Sequence, residues 1–371
     1  MLNKKRVAVI FGGQSSEHEV SRASAESVMR NINKDLYDVV MIGITRDGRW
    51  LLYDGPFDKL GSGEWQVIAE SKGKFDVKEC EAGYIGSARG IFSAVGAEND
   101  SVGIDVVFPV LHGCNGEDGT IQGLFELADV PYVGSGVLGS ALGMDKAYAK
   151  IIFEKECIPQ GKYRVFSRKQ ILQDTDLLAE QVEDALTYPC FVKPSNAGSS
   201  VGVSKAHNRE ELIDALKLAA KYDRRVLAEE FINGREVECA VLGNDAPIAS
   251  TVGEIIPGDE FYDYNAKYAN KNSIICIPAE LPDETISRIR EYAVRAFKAL
   301  DCAGLSRVDF FVHKETGEIY INEINTLPGF TSISMYPKLW GESGIPYGEL
   351  IDRLIELAME RHENSKKAVD N

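Results

Sequence analysis

A short apolar segment, Tyr188-Pro-Cys-Phe-Val192, runs into Lys193-Pro-Ser-Asn-Ala-Gly-Ser-Ser-Val-Gly202, and this junction restricts the fold more than any other stretch. The apolar run has the length and bulk of a strand and delivers a lysine at its end. The small residues that follow let the backbone approach a ligand closely, with its N–H groups facing inward. Val201-Gly-Val203 is expected to begin the returning strand. Lys193 adds a positive charge beside those amides, which suits a nucleotide phosphate, above all one in transfer. No Gly-Lys-Ser/Thr opens a helix here, so the pattern is not a P-loop. Taken alone the stretch also fits a tight surface hairpin. An acidic cluster further along favours the phosphate reading.

That cluster lies on two expected strands, Leu305-Ser-Arg-Val-Asp-Phe-Phe311 and Ile319-Tyr-Ile-Asn-Glu-Ile-Asn325, joined by the turn Lys314-Glu-Thr-Gly317. Alternation puts Arg307, Asp309 and Phe311 on one face of the first, and Glu323 and Asn325 on one face of the second. The oxygens of Asp309, Glu323 and Asn325 form a hard donor set suited to Mg²⁺, with phosphate oxygens and waters completing the octahedron. A solvated polar face with Arg307 paired to an acid is the alternative, and the interleaved Ile and Phe argue for a covered sheet. Beyond Asn325, Gly329 and the hydroxyls up to Ser334 would make an anion-binding loop suited to a carboxylate.

The rest of the chain frames these two features. Residues 6–11 read as a buried strand, then Gly12-Gly-Gln-Ser-Ser16 turns into a helix near His18, with Glu17 at its mouth as a cap or a binding group. Asp38–Ile44 is a strand, and Thr45-Arg-Asp-Gly-Arg-Trp50 a hairpin. From Asp54 to Asn99 only short strands and loops are expected. The near-continuous apolar run Ile104–Leu111 is typical of a parallel strand covered on both faces, and His112-Gly-Cys-Asn-Gly-Glu-Asp-Gly-Thr120 follows at its carboxyl end, where open α/β sheets bind ligands. His112 is there a capped loop histidine or a site residue. A Rossmann-like layer thus ends near residue 140. A second unit, 141–234, opens with a helix from Lys146 to Lys155 and carries the phosphate loop and the amphipathic helix of Leu212, Ala215, Leu216 and Ala219. A third unit, 235–371, holds the acidic strands, a helix from Ser287 to Leu300, and a Tyr-, Asn- and Lys-rich stretch over 254–280 expected to serve as a lid. The tail from Glu360 is expected to fray.

Composition limits the alternatives. At 371 residues the chain needs two or three domains. A formal charge of −16 argues against general nucleic-acid binding but permits a local basic pocket. Seven cysteines stand singly, without Cys-x-x-Cys pairs, which points to reduced thiols and against structural zinc. No run has the length of a bilayer span, and the amino terminus lacks a signal peptide's cleavage region, so a cytoplasmic place is expected. A phosphate loop, divalent-metal ligands, a carboxylate loop and a lid together describe ATP-driven activation of a carboxylic acid.

In order, Gly12-Gly-x-Ser-x-Glu17, His112-Gly-x-x-Gly-Glu-Asp-Gly119, Met144-Asp-Lys146, Lys193-Pro through Gly198-Ser-Ser-Val-Gly202, Tyr262-Asp-Tyr through Lys267-Tyr268, Arg307-Val-Asp309 and Asn322-Glu-Ile-Asn through Pro328-Gly329 resemble the D-alanine–D-alanine ligases of the ATP-grasp superfamily. The resemblance spans essentially the whole chain. It implies an ATP-grasp fold, mixed α/β and α+β, preceded by a Rossmann-like N-terminal domain. It implies a reaction in which ATP phosphorylates one D-alanine and the amine of a second attacks the acylphosphate, for peptidoglycan precursor synthesis. By position, Lys146 and Lys193 resemble phosphate contacts. Glu229, Ile232 and Glu236 resemble the adenosine cradle, with Glu236 at the ribose. Asp309, Glu323 and Asn325 resemble the ligands of two Mg²⁺ ions, which Mn²⁺ could replace, and K⁺ is a candidate activator. Glu17 resembles the group that binds the first ammonium, and Ser334 the one that receives the second carboxylate. Arg307 and the Gly329 backbone resemble the oxyanion donors, with His112 beside the reacting centre and Lys267 reaching the transferred phosphoryl from the lid.

Tyr268 resembles the lid residue that bonds toward Glu17 and Ser199 in relatives that make the plain dipeptide, whereas relatives that make D-alanyl-D-lactate carry Phe or a histidine. Ala197 departs from relatives with Glu or Leu before the Gly-Ser-Ser, which removes any acidic contact across the closed lid. The resemblance further implies a homodimer acting on small molecules, with neither nucleic acid nor membrane as partner. A D-alanyl-D-lactate ligase and a nucleotide-binding relative without turnover are the competing readings.

Overall fold

The computed structural model describes residues 4–71, 103–198, 201–256 and 274–366. The chain first builds β1 (Lys5–Gly12), α1 (His18–Asn31), β2 (Tyr37–Ile44), β3 (Trp50–Tyr53), α2 (Glu64–Ser71) and β4 (Val106–Val110). Their sheet has the order β3-β2-β1-β4, with β1 parallel to both β2 and β4 and the β3 hairpin antiparallel. Every residue of β4 is buried, as its unbroken apolar sequence requires. Helix α2 stands in the first part of the stretch, from Asp54 to Asn99, where only short strands and loops are expected, and residues 72–99 lie outside the described residues. It buries Trp65 and Ala69, one turn apart, and the indole stands edge-on to Phe11 at 4.8 Å. Gly43 makes the room, since a Cβ there would meet the Trp65 ring at 2.1 Å.

Helices α3 (Thr120–Leu127), α4 (Val137–Met144) and α5 (Lys146–Lys155) follow. The boundary expected at residue 140 falls inside α4. Gly139 lies against the Asp301 carbonyl and Gly143 against Thr326, with added Cβ atoms at 2.5 and 2.6 Å, so this helix docks on the third unit. The central unit comprises β5 (Tyr163–Ser167), α6 (Arg168–Gln173), α7 (Thr175–Ala185), β6 (Cys190–Pro194), β7 (Ser204–Ala206), α8 (Arg209–Tyr222) and β8 (Arg225–Glu230), in sheet order β5-β8-β6-β7. Asn208 caps α8 by accepting from the Glu211 N–H at 3.0 Å, and Leu212, Ala215, Leu216 and Ala219 form its buried stripe. The returning strand β7 begins at Ser204, later than expected, because Gly202 turns the chain at φ +73°.

The last unit is an antiparallel sheet, β11-β10-β9-β12-β13, from β9 (Gly234–Gly243), β10 (Ile248–Ile256), β11 (Ile274–Cys276), α9 (Asp283–Ala299) on its face, β12 (Gly304–His313) and β13 (Ile319–Asn325), then α10 (Met335–Glu342) and α11 (Tyr347–Ser365). The expected fraying from Glu360 does not occur before Ser365. Leu350, Ile351, Leu354, Ile355 and Ala358 are buried and hold α11 down. They share one core with Phe11 of β1, Val28 of α1 and Phe108 of β4, so the end of the chain completes the first unit. No helix among the described residues is long and apolar enough to cross a membrane.

Candidate active site

A cavity of about 420 Å³ opens between the central sheet and the last sheet, with loops of the first unit at one end. That volume suits a small organic ligand. One wall carries Phe191, Lys193, Gly198 and the segment from Glu229 to Gly234; the other carries Glu236, Arg307, Phe311, Glu323 and Asn325. Phe191 and Phe231 meet at 6.2 Å between ring centroids, and the Lys205 ammonium caps Phe231 at 4.7 Å. The apolar slot beside Ile232 therefore has the flat, half-aromatic lining that a purine would use.

Lys193, at the end of β6, is buried and paired with Glu229 of the neighbouring strand β8. Glu229 also pairs with Lys150 at 2.8 Å, a buried cation that sequence reasoning missed. Burial pushes the pKa of Lys193 down and outweighs the attraction of Glu229, with Lys150 and Lys146 pushing the same way. Burial alone would raise Glu229, but Lys150 and Lys193 outweigh it and hold the carboxyl below its ordinary value. Lys150 was legible only as the residue one helical turn after Lys146 on α5.

Lys146 begins α5, which Asp145 caps by accepting from the Tyr148 N–H at 3.4 Å. Its Nζ donates to the Ala197 carbonyl at 3.0 Å and lies 3.3 Å from Glu323 Oε2, so it ties the phosphate loop to β13. On the last sheet Asp309 stands opposite Glu323 in the ladder, and Arg307 opposite Asn325. The alternation read from sequence thus brings the oxygen set together on one face. Arg307 Nε and Nη2 each donate to Asp309 at 2.7 Å, and Asn325 Nδ2 donates to the same carboxylate at 3.2 Å. Burial disfavours the Arg307 charge, but Asp309 and Glu238 overcome it and raise the guanidinium pKa well above its usual value. Two carboxylates and an amide oxygen are hard oxygen donors and fit Mg²⁺ chemically, with Lys146 and Arg307 the cations that a metal there would displace from Glu323 and Asp309.

Toward the first unit, Glu17 occupies the N-cap position of α1 without capping it. Its carboxylate instead lies over two glycines. A Cβ on Gly113 or Gly198 would stand 2.6 or 2.9 Å from Glu17 Oε2. His112 is buried, and both ring nitrogens are committed. Nδ1 faces the Leu327 carbonyl at 3.1 Å and therefore carries the proton; Nε2 accepts from Ser24 Oγ at 3.1 Å. Burial lowers the His112 pKa against the pull of Glu17, so the ring is neutral at neutral pH. Glu117, facing the same end, has its pKa raised well above the carboxylate range by burial and then by Glu17. Ser24 Oγ also accepts from the Phe330 N–H at 3.2 Å, so this histidine and serine pin both ends of the 327–330 segment. In that loop Ser334 Oγ accepts from the Thr331 N–H at 3.0 Å, and a Cβ on Gly329 would meet the same oxygen at 2.9 Å. Ser199, Lys267, Tyr268 and the core of the expected lid lie outside the described residues.

Two family models match, D-ala D-ala ligase N-terminus over residues 6–135 and D-ala D-ala ligase C-terminus over residues 152–356. The chain is 65% identical, over its whole length and 99% of the relative, to a D-alanine–D-alanine ligase of Ruminiclostridium cellulolyticum. It is 65% identical to that of Acetivibrio thermocellus, with both chains fully covered. Among solved structures it resembles the VanG D-Ala:D-Ser ligase of Enterococcus faecalis (TM-score 0.81, 41% identity, 96% of this chain and 100% of that one). It also resembles the D-alanine-D-alanine ligase of Coxiella burnetii (TM-score 0.80, 34% identity, 97% of each).

Proposed function

The chain belongs to the D-alanine–D-alanine ligase family, and from that premise we infer how its cleft divides the work. The protein is an ATP- and Mg²⁺-dependent ligase of the ATP-grasp fold that joins two D-alanine molecules to D-alanyl-D-alanine for peptidoglycan synthesis. A carboxylate oxygen of the first D-alanine attacks the γ-phosphorus, the bond to the β–γ bridging oxygen breaks, and D-alanyl phosphate and ADP result. The amine of the second attacks the acyl carbon and loses a proton, and the tetrahedral centre expels phosphate.

In our reading Lys146 and Lys193 bind the phosphates, while Glu229, Ile232 and Glu236 hold the adenosine. Asp309, Glu323 and Asn325 would hold Mg²⁺, which when bound neutralises the phosphate oxygens. Glu17 takes the ammonium of the first substrate and Ser334 the carboxylate of the second. Arg307 and the Gly329 N–H face the oxyanion. His112, neutral with both nitrogens engaged, positions the carboxylate loop and moves no proton. Ser199, Lys267 and Tyr268 keep the roles that the resemblance implies, Tyr268 favouring D-alanine as second substrate. Two Mg²⁺ ions, replacement by Mn²⁺, activation by K⁺ and a homodimer complete the proposal. So do three working units, with α4 and α11 bridging the first and third.

The observation that carries this assignment is a single cleft in which Lys146 bridges the phosphate loop to Glu323, with Glu17 at one end. Incubation with MgATP, D-alanine and equal D-lactate and D-serine, at pH 6 and pH 8, with products resolved by mass, tests it. Predominant D-alanyl-D-alanine at both values is expected. Mostly depsipeptide or D-alanyl-D-serine would reassign the second-substrate pocket, and no product at all would overturn the ligase.

A further inference from the structure

Glu238 has no part in the assignment above and does not line the cleft. It sits on β9, opposite Asp309 of β12 in the ladder, while Glu323 of β13 faces Asp309 from the other side. Three carboxylates thus stand in a row across the sheet, and Arg307 reaches two of them. Its Nε and Nη2 grip Asp309 at 2.7 Å, and Nε also lies 3.0 Å from Glu238 Oε2. Glu238 is 3% exposed, as buried as Asp309, so water and salt screen the pair only weakly.

The grip on Asp309 and the binding of a divalent cation compete for the same lone pairs. A cation at Asp309 also repels the guanidinium. Arg307 must then loosen from Asp309, yet stay aimed at the reacting carbonyl. Glu238 lies on the far side of β12 from Glu323, so it is not one of the two carboxylates that a metal shared by Asp309 and Glu323 would take. A buried carboxylate gives up an ion pair at high cost, so it keeps Nε in place while the terminal nitrogens turn to the substrate.

We propose that Glu238 is a positioning residue for Arg307, an anchor that retains the guanidinium in the cleft when Asp309 turns to the metal. The inference rests on the metal and oxyanion roles given above. The conservative variant is Glu238→Gln, with Glu238→Asp as a second should the first fail to fold. Mn²⁺ binding in the presence of a non-hydrolysable ATP analogue is read by electron paramagnetic resonance. Hydroxylamine trapping of D-alanyl phosphate is compared with dipeptide formation.

In Glu238→Gln the arginine competes undivided for Asp309, so Mn²⁺ affinity should fall several-fold. The ratio of hydroxamate to dipeptide should rise about 10-fold or more, since a misplaced oxyanion donor slows the second step more than the first. The KM for ATP should stay near that of the wild type, and Glu238→Asp should recover part of the ratio. A merely structural role would lower the melting temperature and the active fraction while leaving ratio and Mn²⁺ affinity unchanged, which overturns the proposal. Should the wild-type protein bind no Mn²⁺ with the analogue, the metal assignment itself fails, and the anchor with it.

Discussion

Lys150→Met removes the cation that shares Glu229 with Lys193 while keeping an unbranched side chain one atom shorter. Both groups are buried, with side chains 4% and 10% exposed, so screening is weak. Breaking a buried pair costs about 3–5 kcal/mol when it leaves a charge uncompensated. Glu229 keeps Lys193 on its other oxygen, so the loss should stay near ~2 kcal/mol, or roughly 4–8 °C in the melting temperature of the second and third units unfolding together, about 230 residues. The functional effect is separate. With Lys150 present, Glu229 retains a counter-ion when Lys193 turns to a phosphate. Without it, ATP must draw Lys193 from the one cation–carboxylate pair left there, and a penalty of about 1–2 kcal/mol raises the KM for ATP roughly 5- to 30-fold. ADP release under saturating D-alanine measures the KM, and a thermal melt measures the stability. Lys150→Arg should restore most of both. A melting temperature that falls while the KM for ATP stays within about twofold would refute the shared-counter-ion reasoning and leave Lys150 a purely structural cation.

Three further outcomes are expected. Asp309→Ala should abolish Mg²⁺-dependent ligation and Mn²⁺ binding together, and near-normal turnover would remove Asp309 from the metal set. Gly198→Ala sets a Cβ 2.9 Å from Glu17 Oε2 and forces that carboxylate aside by a few tenths of an ångström. The KM for D-alanine should rise about 3- to 10-fold with the KM for ATP unchanged, and equal changes in both would place Glu17 elsewhere in the mechanism. His112 has a folded pKa below its ordinary 6.5, so as pH falls below that value the unfolded chain takes up the proton first and stability declines. His112→Asn should flatten the drop in melting temperature between pH 7 and pH 5, and an unchanged slope would show that His112 is not the group responsible.

What the sequence made legible was whatever depends on near neighbours. Alternation along β12 and β13 placed Arg307, Asp309, Glu323 and Asn325 on one face because the side-chain period of a strand is local. The stripe of α8 was equally plain, and so was the unbroken apolar run of β4. Glu238 was hidden because its importance arises from register. It is an unremarked acid in Arg235-Glu-Val-Glu-Cys until β9 pairs with β12 and sets it opposite Asp309. Lys150 drew no reading at all within its helix, since nothing local says that β8 will bring Glu229 against it. Helix α2 was lost because two buried residues, Trp65 and Ala69, are too few to establish a period. Glu17 read equally well as a cap, and only the close glycines Gly113 and Gly198 show that its carboxylate turns to the cleft.

The contacts at the cleft floor also bear on how many metal ions the reaction takes. At the cleft and in the sheets beneath it Lys146, Lys150, Lys193 and Arg307 are paired with Glu229, Glu238, Asp309 and Glu323, four cations against four carboxylates. The array is neutral before any ligand arrives. Fully ionised ATP would enter as a tetra-anion, and each phosphate that takes a lysine or arginine also strips a carboxylate of its partner. One divalent cation would leave half of that charge uncompensated in a partly buried site, whereas two would return the sum to zero and give Asp309 and Glu323 a replacement for Arg307 and Lys146. The charge balance of these pairs thus supports the proposal of two ions that the family resemblance suggests. Titration of Mn²⁺ into the protein with a non-hydrolysable ATP analogue should saturate at two equivalents, with the second lost in Glu323→Gln. Saturation at one equivalent would mean that a cation from elsewhere, Lys267 foremost, supplies the missing charge.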